Sequence, residues 1–120
     1  MIKAARYDFG QLSIEADLDQ LELTLTVRMG DGNEYSETFA SSTLEMLASV
    51  IRIKKDSSSF CTKSSDGELR VFTFVRAYYA NRDVTIVGMP QGTFFVMKDY
   101  ETVMKSFHSL CLMLTMNVAV

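Results

Sequence analysis

The sequence has few of the residues from which catalytic sites are built. Its 120 residues include one histidine, His108, and two cysteines, Cys61 and Cys111. On a helical wheel His108 lies beside Met104, Lys105, Cys111 and Leu112, with no base or carboxylate to form a relay. Cys111 falls on an apolar stripe, where a thiol stays protonated and inert. The two cysteines are fifty positions apart, in no metal or redox spacing, and read as free thiols of a reducing compartment. There is no glycine-rich phosphate cradle and no metal-ligand spacing. Asp8-Phe9-Gly10 copies a kinase tripeptide without the loops that accompany it in kinases, and reads as a turn. No enzyme activity, cofactor or resident metal is expected.

Long apolar runs are missing too. The stretch from Leu110 to Val120 is too short to cross a bilayer, and Met1 to Asp8 has no apolar export region, so a cytoplasmic protein without membrane contact is expected. There is one proline, Pro90, and no low-complexity tract. What remains is 48% hydrophobic and 22% charged, an ordinary globular mixture. The length suits a single domain, residues 1–120, able to bury a core without cross-links.

Period-two alternation dominates the first forty residues. Leu12, Ile14 and Ala16 alternate with Ser13, Glu15 and Asp17, and Leu21 to Met29 alternate in the same way, which predicts half-buried antiparallel strands. Asp31-Gly32 before Tyr35 to Phe39 is a hairpin signal. Ser42 with Glu45 fits a capping box. Leu44, Leu47, Val50 and Ile51 then recur at helical spacing, and Lys54 and Lys55 stand where cations complement the helix dipole. Asp56 to Ser59 reads as a connector. A short strand follows at Phe60 to Lys63, then a long one at Leu69 to Tyr79 and further strands at Val84 to Met89 and Thr93 to Met97, with turns at Asp66-Gly67, Asn81-Arg82-Asp83 and Pro90-Gln91-Gly92. Asp99 can cap a last helix, whose face is Val103, Met104, Phe107, Leu110, Cys111 and Leu114. Leu112 and Met113 fall off that stripe and suggest a homodimer or a helix buried by a partner.

The predicted fold is therefore α+β: two tandem ββββα units, about 1–58 and 59–120, with antiparallel twisted sheets and two helices packed on them. Sliding the chain by sixty residues supports the repeat. Val27 lands on Val87, Met29 on Met89, Gly32 on Gly92, and Leu12 and Ile14 land on Phe72 and Phe74. Val84 and Ile86, however, are out of phase with Leu23 and Leu25. This element order resembles the Whirly and PUR-type folds, which bind single-stranded nucleic acid, and it is similar to some immunity proteins of bacterial contact-dependent inhibition systems. The resemblance covers the whole chain but matches no sequence motif, so it implies a fold and carries over no functional residue.

Charge is distributed unevenly. From Tyr7 to Glu45 nine acids face one base, whereas from Met46 to Arg82 seven bases face three acids, an asymmetry that can steer a charged partner. Glu15, Asp17 and Asp19 alternate, so on an extended strand they share a face that can meet water, a hard cation or a basic protein surface. With Glu22, Glu34 and Glu37 they form the candidate partner-binding set. The strand from Glu68 to Tyr79 offers another. Its even positions, Arg70, Phe72, Phe74, Arg76 and Tyr78, could stack bases and hold phosphates, or could face a helix with the arginines at its edges. The expected function is a non-enzymatic binding protein, an immunity or antitoxin type that occludes a basic, nuclease-type toxin. The alternative is a single-stranded nucleic-acid-binding module.

Overall fold

The computed structural model describes residues 3–40, 55–63 and 67–118. Eight strands and one helix occupy them: β1 (Ala4–Asp8), β2 (Leu12–Asp17), β3 (Glu22–Arg28), β4 (Glu34–Ala40), β5 (Ser57–Lys63), β6 (Leu69–Tyr79), β7 (Arg82–Met89), β8 (Gly92–Val96) and α1 (Tyr100–Val118). β1 to β4 form one antiparallel sheet in chain order, and β5 to β8 form a second. The helix expected from Ser42, with Leu44, Leu47, Val50 and Ile51, lies outside the described residues, so α1 is the one helix among those described.

The alternation in the first half places one face of each strand inward. Leu12, Ile14, Ala16, Leu23, Leu25 and Val27 are all at most 1% exposed. From the second sheet Phe72, Phe74, Val87, Met89, Phe94 and Val96 join the same cluster. The predicted stripe of α1 completes it, with Val103, Phe107, Leu110, Cys111 and Leu114 fully buried. The helix packs against β1, β2 and β3 of one sheet and β6 and β7 of the other, so a single core is shared by all three layers. The Phe74 and Phe107 rings meet at 5.2 Å. Each such fully buried aliphatic or aromatic side chain contributes about 2 kcal/mol.

Turn chemistry sets the registers. In the β1–β2 turn Asp8 Oδ1 accepts the Gly10 amide at 2.9 Å, and Gly10 takes φ +82, which only glycine adopts without strain. Asp17 Oδ1 accepts the amides of Asp19 and Gln20, fixing the β2–β3 turn. At the Asp31-Gly32 hairpin the Asn33 amide donates to Asp31 Oδ1. Asp99 caps α1 as expected, accepting the Thr102 amide at 3.0 Å and its hydroxyl at 2.6 Å.

Two local expectations are corrected. Ser57 to Ser59 belong to β5, paired with Val75, Phe74 and Thr73, and are not a connector. The run is polar yet extended because Ser58 is buried with its hydroxyl 2.7 Å from that of Tyr100. The β6–β7 loop is Ala80-Asn81, both with positive φ, and Arg82 already pairs with Tyr79.

The sixty-residue repeat holds for three strands of each half. β2, β3 and β4 correspond to β6, β7 and β8, while β5 begins earlier than a copy of β1 would. Inward positions keep their phase: Thr85 and Val87 are buried where Leu25 and Val27 are. Val84 and Ile86 appeared out of phase because they lie on the opposite, outer face of the second sheet. They pair there with Ala77 and Val75.

A candidate partner-binding surface on the first sheet

Alternation that buries one face of β2 and β3 turns the other outward, and register with β1 and β4 assembles that outer face in rows. Arg6 lies opposite Glu15, Glu15 opposite Thr24, and Thr24 opposite Thr38. Asp8, Ser13, Thr26 and Ser36 form the next row. Its centre consists of hydroxyls: Thr24 and Thr38 Oγ1 are 2.9 Å apart, and Thr26 Oγ1 and Ser36 Oγ are 3.0 Å apart. They floor a depression of about 200 Å³ walled by Arg6, Glu15, Arg28 and Glu34.

Both arginines of this face are already engaged. Arg6 lies 3.0 Å from Asp8 and 3.8 Å from Glu15, and Arg28 lies 2.7 Å from Glu34 and 3.8 Å from Asp8. The hydrogen bond from the Gly10 amide, with the two guanidinium groups, holds the Asp8 carboxyl below the ordinary range. Asp17 and Glu22, paired with each other in register, extend the face toward the β2–β3 turn, where Asp19 stands. Five carboxylates against two guanidinium groups leave the face negative, and a surface of hydroxyls and excess carboxylates is a hydrogen-bond acceptor for cationic side chains.

Of the six acids expected to share a surface, Glu15, Asp17, Glu22 and Glu34 do so, and Asp19 lies at its rim. Glu37 does not. It follows Glu34 by an odd number of positions, faces the other way, and is 8% exposed. There it accepts a hydrogen bond from Arg70 Nη1 at 2.6 Å and another from the Gln91 side chain, bridging the two sheets. Arg6, Arg28, Asp8 and the hydroxyl rows were not expected. The hairpin signal at Asp31-Gly32, which sets Arg28 opposite Glu34, was the available clue.

The five residues of the alternative site are not brought together on a surface. Phe72 and Phe74 are fully buried in the shared core. Arg70 is held by Glu37. Arg76 lies 3.0 Å from Asp83 and 3.5 Å from Asp56, over the Tyr100 ring. Tyr78 alone is widely exposed, at 70%. A base cannot reach the two phenylalanines in this arrangement. The even positions of β6 face the helix, and its aliphatic odd positions face out.

Burial pushes the Cys111 thiol up to about 12. Among the described residues no three His, Cys, Asp or Glu side chains converge as a metal site requires, and no helix is long and apolar enough to cross a membrane. Comparison with protein-family models, with curated proteins and with solved structures finds no match to this chain.

Proposed function

We propose that the chain is a non-enzymatic binding protein that holds a basic protein partner against the outer face of β1 to β4, in the manner of an immunity or antitoxin protein occluding a nuclease-type toxin. The observation that carries the reading is the charge state of that face. Its two arginines are already neutralised by Asp8, Glu15 and Glu34, and Asp17 and Glu22 add further negative charge beside a row of hydroxyls. Such a surface imitates the spaced anions of a nucleic-acid backbone, which a basic nuclease is built to receive. The order of strands, two sheets of four, is in keeping with a Whirly-like immunity protein. Single-strand binding, the second reading, loses its stacking platform with the burial of Phe72 and Phe74.

The test is co-expression with the product of the adjacent reading frame. Protection of the cells and a stable complex are expected. Both should be lost when Glu15, Glu22 and Glu34 are changed together to lysine. A complex that survives this triple reversal, or a harmless neighbour, overturns the proposal. So does tight single-strand binding in a filter titration at low salt.

A further inference from the structure

The second sheet has an outer face of the opposite character. Its β6 positions are Leu69, Val71, Thr73, Val75, Ala77 and Tyr79, continued by Ile86 and Gly88 on β7 and by Thr93 and Phe95 on β8. Val84 has the same parity but is 1% exposed, and the rings of Tyr79 and Phe95 meet at 5.5 Å across β7. The charged positions of this face lie at its edges: Arg82 beside Tyr79, and Lys63 of β5, which register places opposite Leu69. Leu69, Val71 and Tyr79 are 66, 57 and 59% exposed, and Val75, Phe95 and Met97 are 37, 40 and 43% exposed. Together they present roughly 600 Å² of side-chain surface, the upper end of what a monomer shows and most of the about 800 Å² per partner of a standard interface.

We infer that this face is the interface with a second copy of the same chain. Two features select that occupant. First, each chain carries a net charge of −3, and this face lets two copies meet without bringing like charges together or desolvating them. Second, the relief of the face complements itself. The row Val75–Ile86–Phe95 is a ridge, and the adjacent row Thr73–Gly88–Thr93 is a groove. Gly88 deepens that groove, and Thr73 Oγ1 occupies the space a side chain would take there. The inward row Phe74–Val87–Phe94 separates the two. A two-fold axis laid across the strands over that row sets Ile86 on the partner's Gly88 and Phe95 on the partner's Thr93. On β6 it sets Val71 on the partner's Ala77, so large side chains meet small ones at these positions, while at the rim Leu69 meets the partner's Tyr79. The contact is isologous, as a closed dimer requires, and joins two sheets face to face. The acidic face of the first sheet belongs to the other layer and stays available on each copy.

Sedimentation equilibrium of the whole chain at micromolar concentration tests this. The wild type is expected at twice the 13.5 kDa chain mass. Val75→Glu should shift it to the monomer, with a dissociation constant raised by roughly a hundredfold or more. Val71→Glu, at a more exposed position, should act in the same direction and guards against misfolding of the first variant. Circular dichroism and melting of both variants at high dilution verify the fold. Leu112→Glu on α1 and the Glu15, Glu22, Glu34 triple reversal should leave the dimer intact, so failure of the toxin-binding proposal does not bear on this one. A wild-type monomer overturns the inference. A dimer abolished by Leu112→Glu but not by Val75→Glu or Val71→Glu overturns it equally.

Discussion

The carboxylate of Glu37 on β4 and the guanidinium of Arg70 on β6 meet at 2.6 Å, linking the two sheets by an ion pair whose acid is almost fully buried. Removing the arginine leaves the acid with Gln91 as its remaining described partner. Arg70→Ala should therefore lower stability by about 2 kcal/mol, while the double change with Glu37→Leu should recover part of the loss. Urea midpoints of the two singles and the double give the coupling. Additive effects would show that the pair does not hold the sheets together.

Phe72 and Phe74 are core residues, so their truncation should act on folding. Each change to alanine is expected to cost about 3–5 kcal/mol, with Phe74 also losing its ring contact with Phe107. Thermal melting measures this directly. A stable Phe74→Ala protein with altered partner binding would contradict the burial.

Two acids of the candidate surface should separate by role. Asp17 accepts two turn amides, so Asp17→Ala should destabilise by about 1 kcal/mol. Glu22→Ala, on the open face, should stay within about 0.5 kcal/mol and affect binding instead. Parallel denaturation and binding titrations distinguish the two effects.

Asp99 should reveal itself in acid. Desolvation raises its pKa, but hydrogen bonds from Thr102 outweigh that and leave it lowered. A carboxylate with a lowered folded pKa stabilises the fold above its unfolded value and loses that contribution as the pH falls through the folded one. Asp99→Ala should cost about 1 kcal/mol at neutral pH, and the gap from wild type should narrow on acidification below the ordinary carboxylate range. A gap independent of pH would assign the effect to packing.

The β6–β7 loop stores strain, because Ala80 holds φ +50 in a position that favours glycine. Ala80→Gly should raise the melting midpoint, by up to about 1 kcal/mol in stability, and any loss would show that the alanine methyl packs usefully.

Much of the first sheet was legible because its strands alternate cleanly: apolar residues at one parity, charges and hydroxyls at the other. The last helix was legible for a similar reason, since its six stripe residues have the spacing of one buried face. β6 was harder. Both of its parities are apolar, and nothing local says whether Phe72 and Phe74 or Val71 and Val75 turn toward the helix. The arginines between the phenylalanines suggested an open face, but Arg70 and Arg76 are satisfied by Glu37 and Asp83, partners that only the tertiary arrangement supplies. The grouping of Glu37 with Glu34 failed for a reason the sequence did contain: an odd separation on one strand puts the two on opposite faces. The mismatch of Val84 and Ile86 with the repeat was itself a sign of a second apolar surface.

The helix that closes the shared core is the last of the described elements to be synthesised. While it is still being made, the inward faces of both sheets, including Leu25 and Phe74, lack the α1 side chains that complete their cluster. A nascent chain can pair its strands as they emerge, yet it stays sticky until α1 is released. Closure of the core therefore waits on α1, because among the described elements both sheets rest on that one helix.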